Sequence, residues 1–211
     1  MTAAYVALGS NLGDRMGLLR QAVARLGGLG AVEAMSSVYE TDPVGFADQP
    51  AYLNAALRLG TDLPPAALLA GMLRVEAALG RTRSFPNAPR TLDLDLLFYG
   101  DLVLDTADLV LPHPRLHERA FVLVPLAEVA PELLDPMTGL RVRELLAALG
   151  NPGGVKRFAG GSLTLPGGTA PARPVPWRPD GRSPAGNRGW TTSASCTGHI
   201  LSRRVDRDGV V

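Results

Sequence analysis

The run Arg90-Thr91-Leu92-Asp93-Leu94-Asp95-Leu96 alternates apolar and polar residues with the period of a β-strand. Successive side chains of a strand point to opposite faces. Leu92, Leu94 and Leu96 are therefore expected to face a core, and Asp93 and Asp95 to project together from the other face, about 7 Å apart. Like charges at that spacing repel, so a strand avoids the arrangement unless something cationic stands beside them. A hard divalent ion such as Mg²⁺ meets that need, because it binds through one or two carboxylates and completes its shell with water and phosphate oxygens. Arg81, Arg83 and Arg90 lie just upstream, placed to hold further negative charge of a polyphosphate. The residues thus point to a site for a metal–nucleotide complex. A half-buried edge strand that happens to carry two aspartates is the ordinary alternative, and the three arginines weigh against it.

The longer segment Asn87-Ala88-Pro89-Arg90-Thr91-Leu92-Asp93-Leu94-Asp95-Leu96-Leu97 resembles the signature of the 6-hydroxymethyl-7,8-dihydropterin pyrophosphokinase family of folate biosynthesis. Other blocks agree in order and spacing. Ala4 to Gly13 is similar to that family's opening strand and turn. Thr41-Asp42-Pro43-Val44-Gly45 and Gln49-Pro50-Ala51-Tyr52-Leu53-Asn54-Ala55 resemble its pterin-binding loop and strand. Leu111-Pro112-His113, Arg119-Ala120-Phe121 and Pro125 to Pro131 follow. The resemblance spans roughly residues 1–150.

What it implies is a ferredoxin-like α+β core: an antiparallel sheet with helices packed on one face and additional helices or strands. The implied reaction is transfer of pyrophosphate from the co-substrate ATP to the hydroxymethyl group of the pterin, releasing AMP. Asp93 and Asp95 would be the metal ligands, for two Mg²⁺ ions. Arg81, Arg90, Asp93 and Asp95 would carry catalysis. Glu76, Arg81, Arg83, Arg90, His113 and Arg119 would bind ATP, and Thr41, Pro43, Val44, Tyr52, Asn54 and Phe121 the pterin. Tyr52 and Asn54 are two apart on an expected strand and so share a face. A ring beside an amide suits a flat polar heterocycle, although an ordinary cross-strand pair reads the same way. No residue is compelling as a general base. Where the family often has a tryptophan before the Pro-Arg, this chain has Asn87, with Phe85 nearby.

Composition sets bounds on function. Residues 1–150 carry 12 Arg and 17 acidic residues, residues 151–211 carry 9 Lys or Arg and 3 Asp, and the chain totals +1. An acidic domain is not expected to grip nucleic acid through a broad positive surface, which disfavours the other reading of such a scaffold as an RNA-binding module. No apolar run approaches the roughly 18 residues of a membrane helix. One cysteine, Cys196, excludes an intramolecular disulfide framework and fits a reducing cytosol. A cytoplasmic monomer acting on small molecules is the expectation. Residues 151–211 hold 7 Pro and 11 Gly without sustained periodicity. The division expected is a domain over 1–165 and a disordered basic tail over 166–211.

Within the domain, strands are expected at Ala3 to Leu8, Val32 to Tyr39, Tyr52 to Leu59 and Leu92 to Tyr99, with helices after Asp14 and Pro64. A hairpin near 102–111, a Pro-punctuated helical region at 116–130, a helix near 142–149 and a final strand after Val155 complete the reading. No G-x-x-x-x-G-K-[ST] loop is present, so a P-loop does not hold the phosphates. His113 and His117 are four apart, but Pro114 between them and the lack of a third ligand argue against zinc.

Overall fold

A computed structural model of the chain describes residues 1–43, 49–82, 89–150 and 154–164. Val44, Arg83, Phe85 and Asn87, and the tail expected over 166–211, lie outside the described residues.

Strand β1 (Thr2–Ser10) leads into helix α1 (Arg15–Leu26), whose N-terminus is capped by Asp14 accepting from Gly17 N–H. The single strand expected over 32–39 is two: β2 (Ala31–Met35) and β3 (Tyr39–Thr41). The break falls at Ser36, whose hydroxyl accepts from Ala56 N–H in place of a regular ladder bond. Short hydroxylated side chains compete with ladders in this way, and no periodicity marks it in advance. Strand β4 (Tyr52–Thr61) pairs with both pieces, β2 along its second half and β3 along its first. Helix α2 (Pro65–Ala78) opens on Pro64 and stops at Gly80, which adopts φ +80°. Strand β5 (Asp93–Tyr99) follows, then a short hairpin of β6 (Leu104–Asp105) and β7 (Val110–Leu111). A tight 3-10 turn (Leu116–Glu118) runs into α3 (Ala120–Val129), and α4 (Val142–Ala148) and β8 (Val155–Arg157) close the described chain.

The sheet is antiparallel throughout, ordered β5-β1-β4-β3-β8 with β2 beside β4. Its central strands carry apolar side chains on both faces. Val6, Leu8, Leu57, Leu94 and Leu96 share one core with Leu19 and Leu26 of α1 and Leu68 and Met72 of α2. Tyr5, Ala56, Leu97 and Phe98 share a second with Leu123 and Leu126 of α3 and Leu145 and Leu146 of α4. Helices therefore cover both faces, which corrects the expectation of one. The reason was hidden locally: α3 is apolar nearly all round, so no stripe says which way it faces.

A bulge in β5 links the two cores. Val6 pairs with Leu96 and Tyr5 with Phe98, which leaves Leu97 as the extra residue. Before the bulge, the face opposite the first core carries Asp93 and Asp95; at the bulge it turns to Leu97 and packs against the helices.

The last described segment wraps the sheet edge. Val155 pairs with Thr41, Phe158 N–H donates to Val38 O, and Leu163 is buried in the first core. Truncation after residue 150 removes these contacts, so a lower urea midpoint is expected. Leu163→Ala alone should cost energy at the lower end of about 2–5 kcal/mol, and an unchanged midpoint would show that the segment is not packed.

Candidate active site

The ends of β1, β4 and β5 open into one cavity of about 620 Å³. Gly9, Tyr52, Asn54 and Asp93 come from these strands, Thr41 from β3, and Arg119 and Phe121 from the start of α3. A smaller hollow of about 20 Å³ shares Gly9, Asn54, Asp93 and Phe121 and reaches Asp95. A side chain at Gly9 would stand 3.2 Å from Asn54 Oδ1, so the bare backbone there keeps the floor clear.

The carboxylates differ in their company. Asp93 lies between two guanidiniums, with Arg81 Nη1 2.6 Å from Oδ1 and Arg90 Nη1 2.8 Å from Oδ2. Among the described residues, Asp95 has only Arg119, at 3.5 Å. Burial raises its pKa above the ordinary value, and the neighbouring Asp93 charge raises it further, against the pull of His113, Arg119 and Arg81. Leu92, Leu94 and Leu96 point into the core as the alternation implied, and the acids share the other face.

Glu76 does not line the cavity. It is buried on α2, where its carboxylate accepts from Leu94 N–H (2.7 Å) and pairs with Arg81. Burial raises its pKa, with the Leu94 bond and Arg81 opposing. Arg81 is disfavoured by burial, but the charges of Asp93 and Glu76 outweigh this and hold it above its ordinary value. The line Glu76–Arg81–Asp93 is thus continuous from the core to the cavity.

On the opposite wall, Asn54 Nδ2 donates to Thr41 Oγ1 (2.7 Å), which leaves Oδ1 toward Gly9. Tyr52 hydroxyl donates to Gln49 Oε1 (3.2 Å), and its pKa is raised by burial. The Arg119 guanidinium sits 5.6 Å from the Phe121 ring centre. His113 Nδ1 accepts from Arg115 N–H (3.2 Å), so Nε2 is the nitrogen left to carry the proton. Burial lowers the His113 pKa, with Asp95 opposing, which favours the neutral ring.

The structure therefore brings Thr41, Pro43, Tyr52, Asn54, Phe121, Arg90, Asp93 and Arg119 around one cavity, with Arg81 and Asp95 beside it. Asn11 was missed from the sequence. It is buried, accepts from Arg90 N–H (2.8 Å) through Oδ1 and donates to Gln49 Oε1 (2.9 Å) and Pro50 O (3.3 Å). Its turn, Gly9-Ser10-Asn11-Leu12-Gly13, was legible as a turn only. Arg115, Glu118, Gly154 and Val155 also line the cavity, and nothing in their local sequence marks them.

Fold and site together define a small α+β domain with a cavity that joins a polar aromatic wall to an arginine-flanked carboxylate pair. Residues 5–131 match the family described as 7,8-dihydro-6-hydroxymethylpterin-pyrophosphokinase (HPPK), and the chain belongs to that family. It is 50% identical over 132 residues to the 2-amino-4-hydroxy-6-hydroxymethyldihydropteridine pyrophosphokinase of Bacillus subtilis, covering 62% of this chain and 79% of that one. The protein of the same name from Methylorubrum extorquens is 46% identical over 159 residues, covering 74% and 99%. Among solved structures, an HPPK-DHPS in complex with substrates matches with TM-score 0.57 at 13% identity. The wild-type Plasmodium falciparum HPPK-DHPS with pterin and p-hydroxybenzoate matches with TM-score 0.57 at 15%. Those matches cover 70% of this chain but 43% and 41% of the longer ones, and at such identities the likeness is one of fold. The resemblance read from residues 87–97 is borne out at the level of the family.

The strained acid pair has a measurable consequence. Because the folded-state pKa of Asp95 is raised, its ionisation destabilises the metal-free protein as pH rises from the ordinary value of 3.8 through the folded value. Asp95→Asn should therefore raise the melting temperature of metal-free protein at pH 7 by about 2–4 °C. The gain should shrink toward zero below pH 3.8, where the acid is protonated in both states. A variant less stable than the parent at pH 7 would contradict the repulsion.

Proposed function

We propose that this chain transfers the pyrophosphoryl group of ATP to the hydroxymethyl oxygen of 6-hydroxymethyl-7,8-dihydropterin, releasing AMP, as a step of folate biosynthesis. The observation that carries the proposal is that one cavity is lined by both residue sets: Tyr52, Asn54, Thr41 and Phe121 on one side, Arg90, Asp93 and Arg119 on the other. Membership of the family supports it.

Tyr52 and Phe121 supply rings for a flat heterocycle, and Asn54 Oδ1, left toward the cavity by the bond to Thr41, accepts from its amino group. Pro43 lines the same wall; Val44 belongs to this set by the family pattern. Arg81 and Arg90 are already fixed on Asp93 and stand as the cations beside it for phosphate oxygens. Arg119 and the Nε2–H of neutral His113 add donors on the Asp95 side, and Arg83 extends the set by family pattern alone. Glu76 holds Arg81 from the core. Such a site works by positioning and neutralising charge, so no residue is assigned as a general base.

The acid pair fits Mg²⁺ by its donor chemistry. No group of three His, Cys, Asp or Glu among the described residues could hold an ion alone. A hard ion bringing water and phosphate oxygens requires only one or two carboxylates. Asp93 and Asp95 would hold two ions, which would supply positive charge against that of the polyphosphate.

The reading extends to fold and setting. A ferredoxin-like core is supported by the order β5-β1-β4 with β2 and β3 both on the far side of β4, two helices crossing one face, and every pairing antiparallel. A cytoplasmic monomer acting on small molecules is supported by the single cysteine and the acidic domain.

The test is AMP release from ATP, dependent on both Mg²⁺ and the pterin. Asp95→Ala should lower that rate about a hundredfold or more with the fold kept by circular dichroism; near-normal turnover would refute the metal assignment. Tyr52→Ala and Asn54→Ala should weaken pterin binding by about tenfold or more in calorimetry while nucleotide binding is largely kept. Equal losses for both ligands would break the division of the cavity.

A further inference from the structure

The second histidine of the His113/His117 pair belongs to no step above, yet its half-buried ring meets a fully buried carboxylate. Its Nε2 lies 2.7 Å from Oδ2 of Asp135, a carboxylate with no solvent exposure. Asp135 also accepts from Thr138 Oγ1 (2.7 Å) and Met137 N–H (3.0 Å). Its backbone closes the same loop, with Asp135 N–H to Leu140 O at 2.9 Å and Gly139 N–H to Asp135 O at 2.8 Å. Val142 N–H to Leu133 O and Arg143 N–H to Pro131 O tie that loop to α4. Asp135 thus stands on a platform built independently of His117. Burial alone would raise its pKa, but the bonds from Thr138, Met137 and His117 outweigh this and keep it ionised.

The segment that meets the platform is less secure. In the 116–118 turn the backbone bonds are long, Glu118 N–H to Arg115 O at 3.4 Å and Arg119 N–H to Leu116 O at 3.3 Å. No side chain caps the start of α3. Only Leu116, fully buried, anchors the turn by packing. Arg115, Glu118 and Arg119 all reach the cavity from this turn, and Arg119 is the only cation within ion-pair distance of Asp95 among the described residues.

We infer that His117 is a positioning residue: its bond to the Asp135 platform sets the turn that delivers Arg119 to the Asp95 side of the active site. This rests on the pyrophosphokinase reading, since it assigns Arg119 to the phosphates. The contact acts chiefly on nucleotide: Tyr52 and Asn54 are held by the β3–β4 ladder, and of the pterin set only Phe121, beside Arg119, follows the turn directly.

Two substitutions separate positioning from folding. A glutamine amide nitrogen reaches as far from the backbone as imidazole Nε2, whereas an asparagine amide reaches only as far as Nδ1. His117→Gln should keep kcat and the KM for ATP within about threefold of the parent. His117→Asn should lower kcat/KM for ATP about tenfold or more and leave the KM for the pterin within about twofold. Calorimetry with a non-hydrolysable ATP analogue and Mg²⁺ should show the same order in Kd, and it needs no turnover. Equal behaviour of the two variants overturns the inference. So does a loss shared by both substrates, or one that follows the melting temperature. If AMP release fails in the parent while the analogue still separates the variants, the reaction is wrong and the positioning role stands. A parent that binds no nucleotide overturns both.

Discussion

Two carboxylates on one face of a strand cannot sit together without cation support, and the domain is arranged around that constraint. Asp93 is held between Arg81 and Arg90, and among the described residues Asp95 has one ion pair, at 3.5 Å. The asymmetry has a physical use. A fully paired couple would gain little from a metal–nucleotide complex, and a fully bare couple would resist folding. Supporting one acid and leaving the other short of charge keeps the site stable enough to form and still attractive to a cation.

The support itself comes from the core. Glu76 on α2 accepts the Leu94 amide and pairs with Arg81, so one buried acid fixes both the strand that carries the aspartates and the arginine that steadies them. A buried carboxylate of this kind is costly unless satisfied on more than one side. Here it is satisfied by a backbone donor and a guanidinium, and the same contacts orient the site. The bulge at Leu97 does comparable work along the chain. It lets one seven-residue strand present acids at its start and apolar side chains toward α3 and α4 near its end.

What the sequence made legible were the features with a local signal. The Leu-Asp alternation gave the faces of β5, the Asp14 cap gave α1, and Gly80 gave the end of α2. The acid pair with its arginines followed from period and residue type, whereas the Tyr52–Asn54 wall followed only from the family resemblance, since an ordinary cross-strand pair has the same spacing. The split of one expected strand at Ser36 did not follow, because it rests on a hydroxyl bonding to Ala56 across the sheet. The second helix-covered face did not follow either, since α3 carries no stripe. Asn11 was missed for a similar reason. Its turn is visible, but its function is to bridge Arg90 to Gln49 and Pro50, residues 38 or more positions away. Contacts of that range are set by topology, which no window of sequence contains.

The same distinction explains why the cavity has two characters. The Tyr52–Asn54 wall is built on paired strands: Asn54 is held by Thr41 across the β3–β4 ladder, and Thr41 in turn pairs with Val155 of β8. Ladder positions are rigid, which would suit the flat ligand proposed for this wall. The cationic side draws Arg90 from just before a strand and Arg119 from a turn. Long cationic side chains on such positions can adjust to an anion, at the cost of needing anchors of their own. Asn11 anchors Arg90 through its backbone, and Glu76 anchors Arg81 through its side chain. A turn that carries the last of these cations without an equivalent brace would be the weak point of the design, and the bond of His117 to the buried Asp135 lies at that turn.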